Sequence, residues 1–291
     1  MSVETYGAHE CRTYFVAETV YGTTPASPAM LGVNTEGVEP KIDPGLIKVM
    51  GIGSRDLQSL SAGMRKVSLK IPNALSGQSP ISLIQHVQTL SSLSVQVLYY
   101  KGLWSSPSNI LSFLHTGCKI DKVSVECHIE DVVKSTVELI GQNVTRATSL
   151  ISGATYGDYA GAVAFNSSYV QKGAASGGSG VTLTDVTDWK FDIENNLKAV
   201  PVIQSGGSGL LLKYLRERHR KLSGELTMEF EGDSELQDLL ADTEFSLLFG
   251  LGSTNTALFK YCKWEDFSPP TKIDELVSVK AKFLARDLWI S

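Results

Sequence analysis

Cys118-Lys119-Ile120-Asp121-Lys122-Val123-Ser124 returns 144 residues later as Cys262-Lys263-Trp264-Glu265-Asp266-Phe267-Ser268. The ungapped match runs on to residues 141 and 285, with Ile129 on Ile273 and Val133 on Val277. Asp121/Glu265, Glu130/Asp274, Asp131/Glu275, Val132/Leu276 and Leu139/Phe283 are conservative. Five identities in 24 positions are weak alone. The neighbouring elements repeat in the same order, which is the stronger signal. Ile42-Asp43-Pro44-Gly45-Leu46 parallels Ile193-Glu194-Asn195-Asn196-Leu197, and the alternating stretch 66–71 parallels 222–230. Each half reads strand, long loop, strand, helix, strand, strand–turn–strand. The chain is therefore expected to be mainly β and to hold two tandem β-sandwich or barrel modules, each with one short flanking helix. The competing reading is two unrelated β domains.

Working outward, the β texture is continuous. Val67, Leu69 and Ile71 share one face, and alternation recurs at 94–100, 129–139, 181–184, 189–193 and 277–283. Ser79–Leu90, with Pro80 in its first turn, and Asp233–Leu240 carry helical periodicity. Glycine and serine cluster at 149–161 and 173–180. These divide the chain into a first module with an extended N-terminal segment (1–150), a mobile Gly/Ser-rich connection (151–180) and a second module (181–291).

At 291 residues, 42% of them hydrophobic and 20% charged, the chain can bury a substantial core. Its net charge of −5 argues against a protein that grips nucleic acid over its whole surface. Residues 1–150 are neutral, so the acidic excess lies in 151–291. No apolar run approaches a membrane span, and Met1–Thr5 has neither a basic nor an apolar leader region.

The search for chemistry is negative. H-E-x-x-H, G-x-x-x-x-G-K-[ST] and G-x-S-x-G are absent, and Gly51-Ile52-Gly53 lacks the third glycine of a dinucleotide fingerprint. Cys11, Cys118, Cys127 and Cys262 show no ligand spacing and read as buried thiols. Cys127 and His128 are adjacent in a strand and point to opposite faces. No enzyme activity, metal or cofactor is expected.

The two long loops, about 47–63 and 198–221, are the candidate contact surfaces, because loops of this length in compact domains usually have a task. The first carries Val49, Met50, Ile52, Leu57 and Leu60, and the second Val200, Val202, Ile203, Leu210, Leu211 and Leu212. Apolar side chains shown to water in this way point to another chain as their cover. A basic cluster, Arg216, Arg218, Arg220 and Lys221, suits an inter-subunit electrostatic contact. Glu229, Glu231, Asp233 and Glu235 are its candidate partners.

Three stretches resemble the tail tube proteins of tailed bacteriophages. They are Glu18-Thr19-Val20-Tyr21-Gly22-Thr23-Thr24-Pro25, Phe191-Asp192-Ile193-Glu194-Asn195-Asn196-Leu197, and Arg220-Lys221-Leu222-Ser223-Gly224-Glu225-Leu226-Thr227. The resemblance implies a structural virion protein whose β-sandwich, with one flanking helix, contributes sheet to closed rings that stack into a hollow tube. The long loops match the family's stacking loop, and Tyr21, Gly22 and Pro25 match an N-terminal segment that lies along a neighbour. The partners implied are other copies of the chain, with tape-measure, tail terminator and distal tail proteins. The resemblance also implies that DNA passes through the lumen without specific binding. The implied location is the virion tail, assembled in the host cytoplasm. With two modules per chain, three chains close a six-module ring, in preference to six chains each adding one. A tail hub built on two tube-like folds is an alternative within the same assembly. A carbohydrate-binding β-sandwich is one from another class.

Overall fold

The computed structural model describes residues 5–75, 78–159, 161–178, 180–203, 210–252, 255–269 and 277–291. The protein is mainly β. Its first half holds β1 (Cys11–Ala17), β2 (Ala29–Val33), β3 (Glu39–Asp43), β4 (Ile47–Val49), β5 (Ser59–Ser61), β6 (Lys66–Leu75), helix α1 (Gln78–Thr89), β7 (Leu93–Lys101), β8 (Ser108–His128), β9 (Lys134–Gly141) and β10 (Asn143–Ala147). Then come β11 (Thr155–Tyr156), β12 (Ser168–Ala174), β13 (Val181–Thr182), β14 (Val186–Glu194), β15 (Lys198–Val200), β16 (Tyr214–Arg216), β17 (Lys221–Glu229), helix α2 (Ser234–Leu240), β18 (Phe245–Leu251), β19 (Thr256–Ser268), β20 (Ser278–Ala285) and β21 (Asp287–Ile290).

The long strand β8 serves two layers. Its first part pairs with β7 and β10, and its second part with β9. β1 and β2 extend the first layer beyond β7, while β6 and β3 extend the second beyond β9. In the second half, β19 pairs with β18 and β21 and then with β20. β12 and β13 lie beyond β18, and β17 and β14 beyond β20. The registers correspond in detail. Leu93 faces Cys118 as Phe245 faces Cys262, and a bulge follows Ile120 where one follows Trp264. Phe15, Val95, Val123 and Leu139 share one apolar core with Phe191, Phe249, Phe259 and Phe283. The second half packs a ring cluster, with Phe249–Phe259 centroids 5.6 Å apart, where the first has aliphatic chains.

One further pairing joins the halves. β14 runs antiparallel to β8, with Ile193 opposite Val123 and Glu194 opposite Lys122. The result is a continuous antiparallel sheet in the order β3-β6-β9-β8-β14-β17-β20-β19. Alternation fixes its faces: Val67, Leu69, Val137, Phe191, Leu226 and Phe283 point to the core, and polar residues stand between them.

Several expected features differ. The stretch 129–139 is not one strand: Glu130 takes φ 64° in a turn, Ile129 is exposed, and β9 begins only at Lys134. Val133 is nevertheless buried, its N–H donating to the Val163 carbonyl at 2.8 Å. Leu240, whose place in the helical period of Asp233–Leu240 puts it with Leu236 and Leu239 on the apolar side, is 78% exposed. Part of the connection at 151–180 is pinned down. β11 runs parallel to β2, and the Tyr156 hydroxyl donates to Gln96 at 3.0 Å. The matches proposed for Ile273 to Leu276 lie outside the described residues.

Candidate assembly surfaces

The seam between the halves carries ion pairs and hydrogen bonds. The Lys122 ammonium lies 2.8 Å from Glu194 and 3.8 Å from Asp192, and Lys190 lies 3.6 Å from Glu126. The hydrogen bond from Lys122 holds the Glu194 carboxyl below its ordinary pKa, and the same bond raises that of Lys122. Just beyond β14, Asn195 is buried. Its side-chain amide donates to the carbonyls of Val87 (3.2 Å) and Ile120 (3.0 Å), and its backbone N–H to that of Asp121 (2.8 Å). The Leu197 N–H donates to the Asp121 carboxylate at 2.6 Å. Asn196 takes φ 51°, which turns the chain away from the sheet. Gly45, at the same place after β3, takes φ 58°.

Neither long loop is unstructured: each begins as a hairpin. β4 pairs with β5 (Val49 opposite Ser59), and β15 with β16 (Val200 opposite Tyr214). The two hairpins have opposite environments. β15–β16 lies on the first half, with its Leu212 and Leu215 about 2% exposed. The Leu210 carbonyl accepts from the Arg65 N–H (2.8 Å), that of Leu212 from the Gln142 amide (2.7 Å), and that of Leu215 from Lys119 (3.4 Å). All six residues of β4 and β5 are exposed.

The expected contact residues therefore divide. Val49, Met50, Ile52, Leu57, Leu60 and Ile203 are exposed, Ile52 and Ile203 completely. Val200, Val202, Leu210 and Leu211 are half-buried. Leu212 does not match the expectation of exposure, because its side chain is covered by the chain's own first half. Arg216, Arg218 and Arg220 are exposed. The carboxylate nearest Arg220 is Asp287, at 3.8 Å, and Glu235 pairs instead with Lys172 at 3.3 Å.

The Tyr21-Gly22-Pro25 segment is not the extended strap that was expected. The Glu18 carboxylate, 9% exposed, accepts from the Gly22 and Gly117 N–H groups and the Ser94 hydroxyl, each at 2.8 Å. Thr24 bonds Ser94 at 2.7 Å. The segment is thereby a turn folded onto its own sheet. The Tyr21 hydroxyl is buried beside Cys118 without a hydrogen-bond partner, and burial raises its pKa.

Among the described residues no three His, Cys, Asp or Glu side chains converge on a metal position. Trp189 and Trp264 are core residues. Trp104 is covered by the Arg12 guanidinium, 4.7 Å from its ring centre. Sequence reading missed Asn195 as the seam's anchor, together with the edges of β3 and of residues 263–268, which have no outer partner among the described residues. The signal was present, because Asn195-Asn196 ends a strand where Pro44-Gly45 ends its counterpart. Only the fold shows what lies beside each. No curated protein matches the chain. The phage tail tube protein family matches residues 9–283, nearly its whole length. The chain belongs to that family.

Proposed function

We propose that the chain carries two copies of one tube fold, about 1–150 and 181–291, and that three chains close a ring that stacks into the hollow tail tube. The observation that carries this reading is the seam. Within one chain, the edge of β8 is covered by the edge of β14. By register, β19 is the counterpart of β8, and β3 that of β14. Among the described residues, 263–268 of β19 and the whole of β3 have no partner on their outer side. Open edges of this kind pair with further copies until a ring closes. The hairpins that follow β3 and β14 supply the contacts between rings, with Met50, Ile52 and Ile203 as their exposed apolar residues.

The sheet face turned away from the core suits a lumen for DNA. Glu39, Lys70, Glu138, Lys122, Glu194 and Lys221 form one cross-strand row. Lys134, Glu126, Lys190, Glu225, Lys282 and Asp266 form another. Charges alternate along both, so each lysine is neutralised by a neighbour before it meets a phosphate. No arginine, the residue best suited to bidentate phosphate binding, occurs in the described residues of these strands. DNA would slide along such a wall during ejection. The role is structural rather than catalytic. The site is the virion tail, assembled in the host cytoplasm beside tape-measure, terminator and distal tail proteins. Cryo-EM of assembled protein tests the count. Three chains per ring with approximate six-fold symmetry are expected, and six identical chains per ring would refute it.

A further inference from the structure

Resting on the tube reading, we infer that the seam between two chains repeats the β8–β14 register with its charge pair broken. Residues 266–268 of one copy lie against β3 of the next. Asp266 then faces Asp43, Phe267 faces Ile42, and Ser268 faces Lys41. The correspondence follows from the ladders. Lys122 sits opposite Glu138, one position after a bulge, and Asp266 sits opposite Lys282 after the same bulge. Glu194 faces Lys221 as Asp43 faces Lys66. Inside the chain this position holds Lys122 against Glu194; between chains it holds two carboxylates.

The hairpins support the same occupant. The Gln58 N–H donates to the Val49 carbonyl (2.9 Å), and the Lys213 N–H to that of Val200 (3.1 Å). This places Leu57 on Leu212 and Leu60 on Leu215. Leu212 and Leu215 are buried on the first half, whereas Leu57 and Leu60 are 43% and 58% exposed. The surface that matches them is the second half of another copy. Lys263 stands there at the place of Lys119, which donates to the Leu215 carbonyl.

The seam between chains is weaker than the one within the chain for two reasons. Asp43 and Asp266 repel, moderated by Lys66 beside one and by Lys282 and Lys280 on the strand next to the other. Pro44, in the place of Asn195, has neither an N–H nor a side-chain amide, so three hydrogen bonds have no counterpart. The halves of one chain are thus held together firmly, while chains join one another reversibly.

Two sets of variants test this. Lys41→Cys with Ser268→Cys, both exposed positions, should crosslink assembled protein into covalent species that stop at three chains, and neither single variant should do so. The native Cys118, Cys127 and Cys262 are buried, and the partly exposed Cys11 is changed to Ser in every variant so that it gives no background. Asp266→Lys restores the Lys–carboxylate pair and should lower the concentration needed for assembly at low salt by roughly threefold. Adding Asp43→Lys should remove that gain. Rings or tubes that form without the crosslink, or an Asp266→Lys variant that assembles no better, would overturn this seam and leave the tube reading standing. A chain that stays monomeric at every concentration and salt would overturn both.

Discussion

His115 lies on β8 with no exposed surface, its Nδ1 3.3 Å from the Val95 carbonyl and its Nε2 without a partner. Burial lowers its pKa below the ordinary 6.5. A histidine depressed in this way is protonated more readily in the unfolded chain. Stability is therefore full above about pH 6.5 and falls as the pH drops toward the folded pKa. Its counterpart by register is Phe259, packed against Phe249 and Phe283. At the places that correspond by register to Phe249 and Phe283 the first half has the smaller Val97 and Leu139, which favours a phenyl ring here. His115→Phe should be near neutral at pH 8. Its advantage should grow by at most about 1.4 kcal/mol for each pH unit lost below about 6.5, measured by urea unfolding across that range. An advantage independent of pH would show that the ring does not titrate in the unfolded chain differently from the folded one. At Gly224 on β17, by contrast, the packing is tight. A Cβ on Gly224 would meet the Lys190 carbonyl and the Phe283 ring at 2.5 Å each.

At the scale of elements, the two hairpins are the same structure in different surroundings. β15–β16 has a buried side and bonds to Arg65, Gln142 and Lys119, while β4–β5 has neither a buried side nor comparable bonds among the described contacts. Replacing residues 50–57 with a two-residue turn should therefore leave the unfolding midpoint of the monomer nearly unchanged and abolish assembly, read by sedimentation. Leu215→Asp should do the reverse damage. A buried, unpaired carboxylate costs several kcal/mol, so this variant should unfold early. Equal destabilisation by both changes would mean that β4–β5 is packed in the monomer after all.

At the scale of the whole molecule, the β8–β14 pairing and the Asn195 bonds bind the halves through one sheet and one core. Residues 1–162 and 163–291 made as separate chains should copurify in equal amounts when only one is tagged. The first made alone should aggregate through the uncovered edge of β8. Independent, soluble monomers of both fragments would show that the seam is dispensable for folding.

The β texture, both helices and the repeated order of elements were legible in the sequence. Apolar alternation at 67–71 and 222–228, and the Cys-Lys repeat at 118 and 262, are local signals that side-chain period alone creates. The family resemblance was legible too, because its motifs are turns and strand ends: the Glu18–Gly22 turn and the Asn195-Asn196 corner. The fate of individual apolar residues was not legible. Leu212 and Leu57 look alike in composition and loop context, and Ile129 reads like Val133. Burial depends on which distant surface arrives, and that follows from long-range strand pairing. Only the tertiary structure placed β14 against β8, covered one hairpin and left the other open. It also showed that Lys122, which the repeat aligns with Asp266, pairs with Glu194 across the β8–β14 seam.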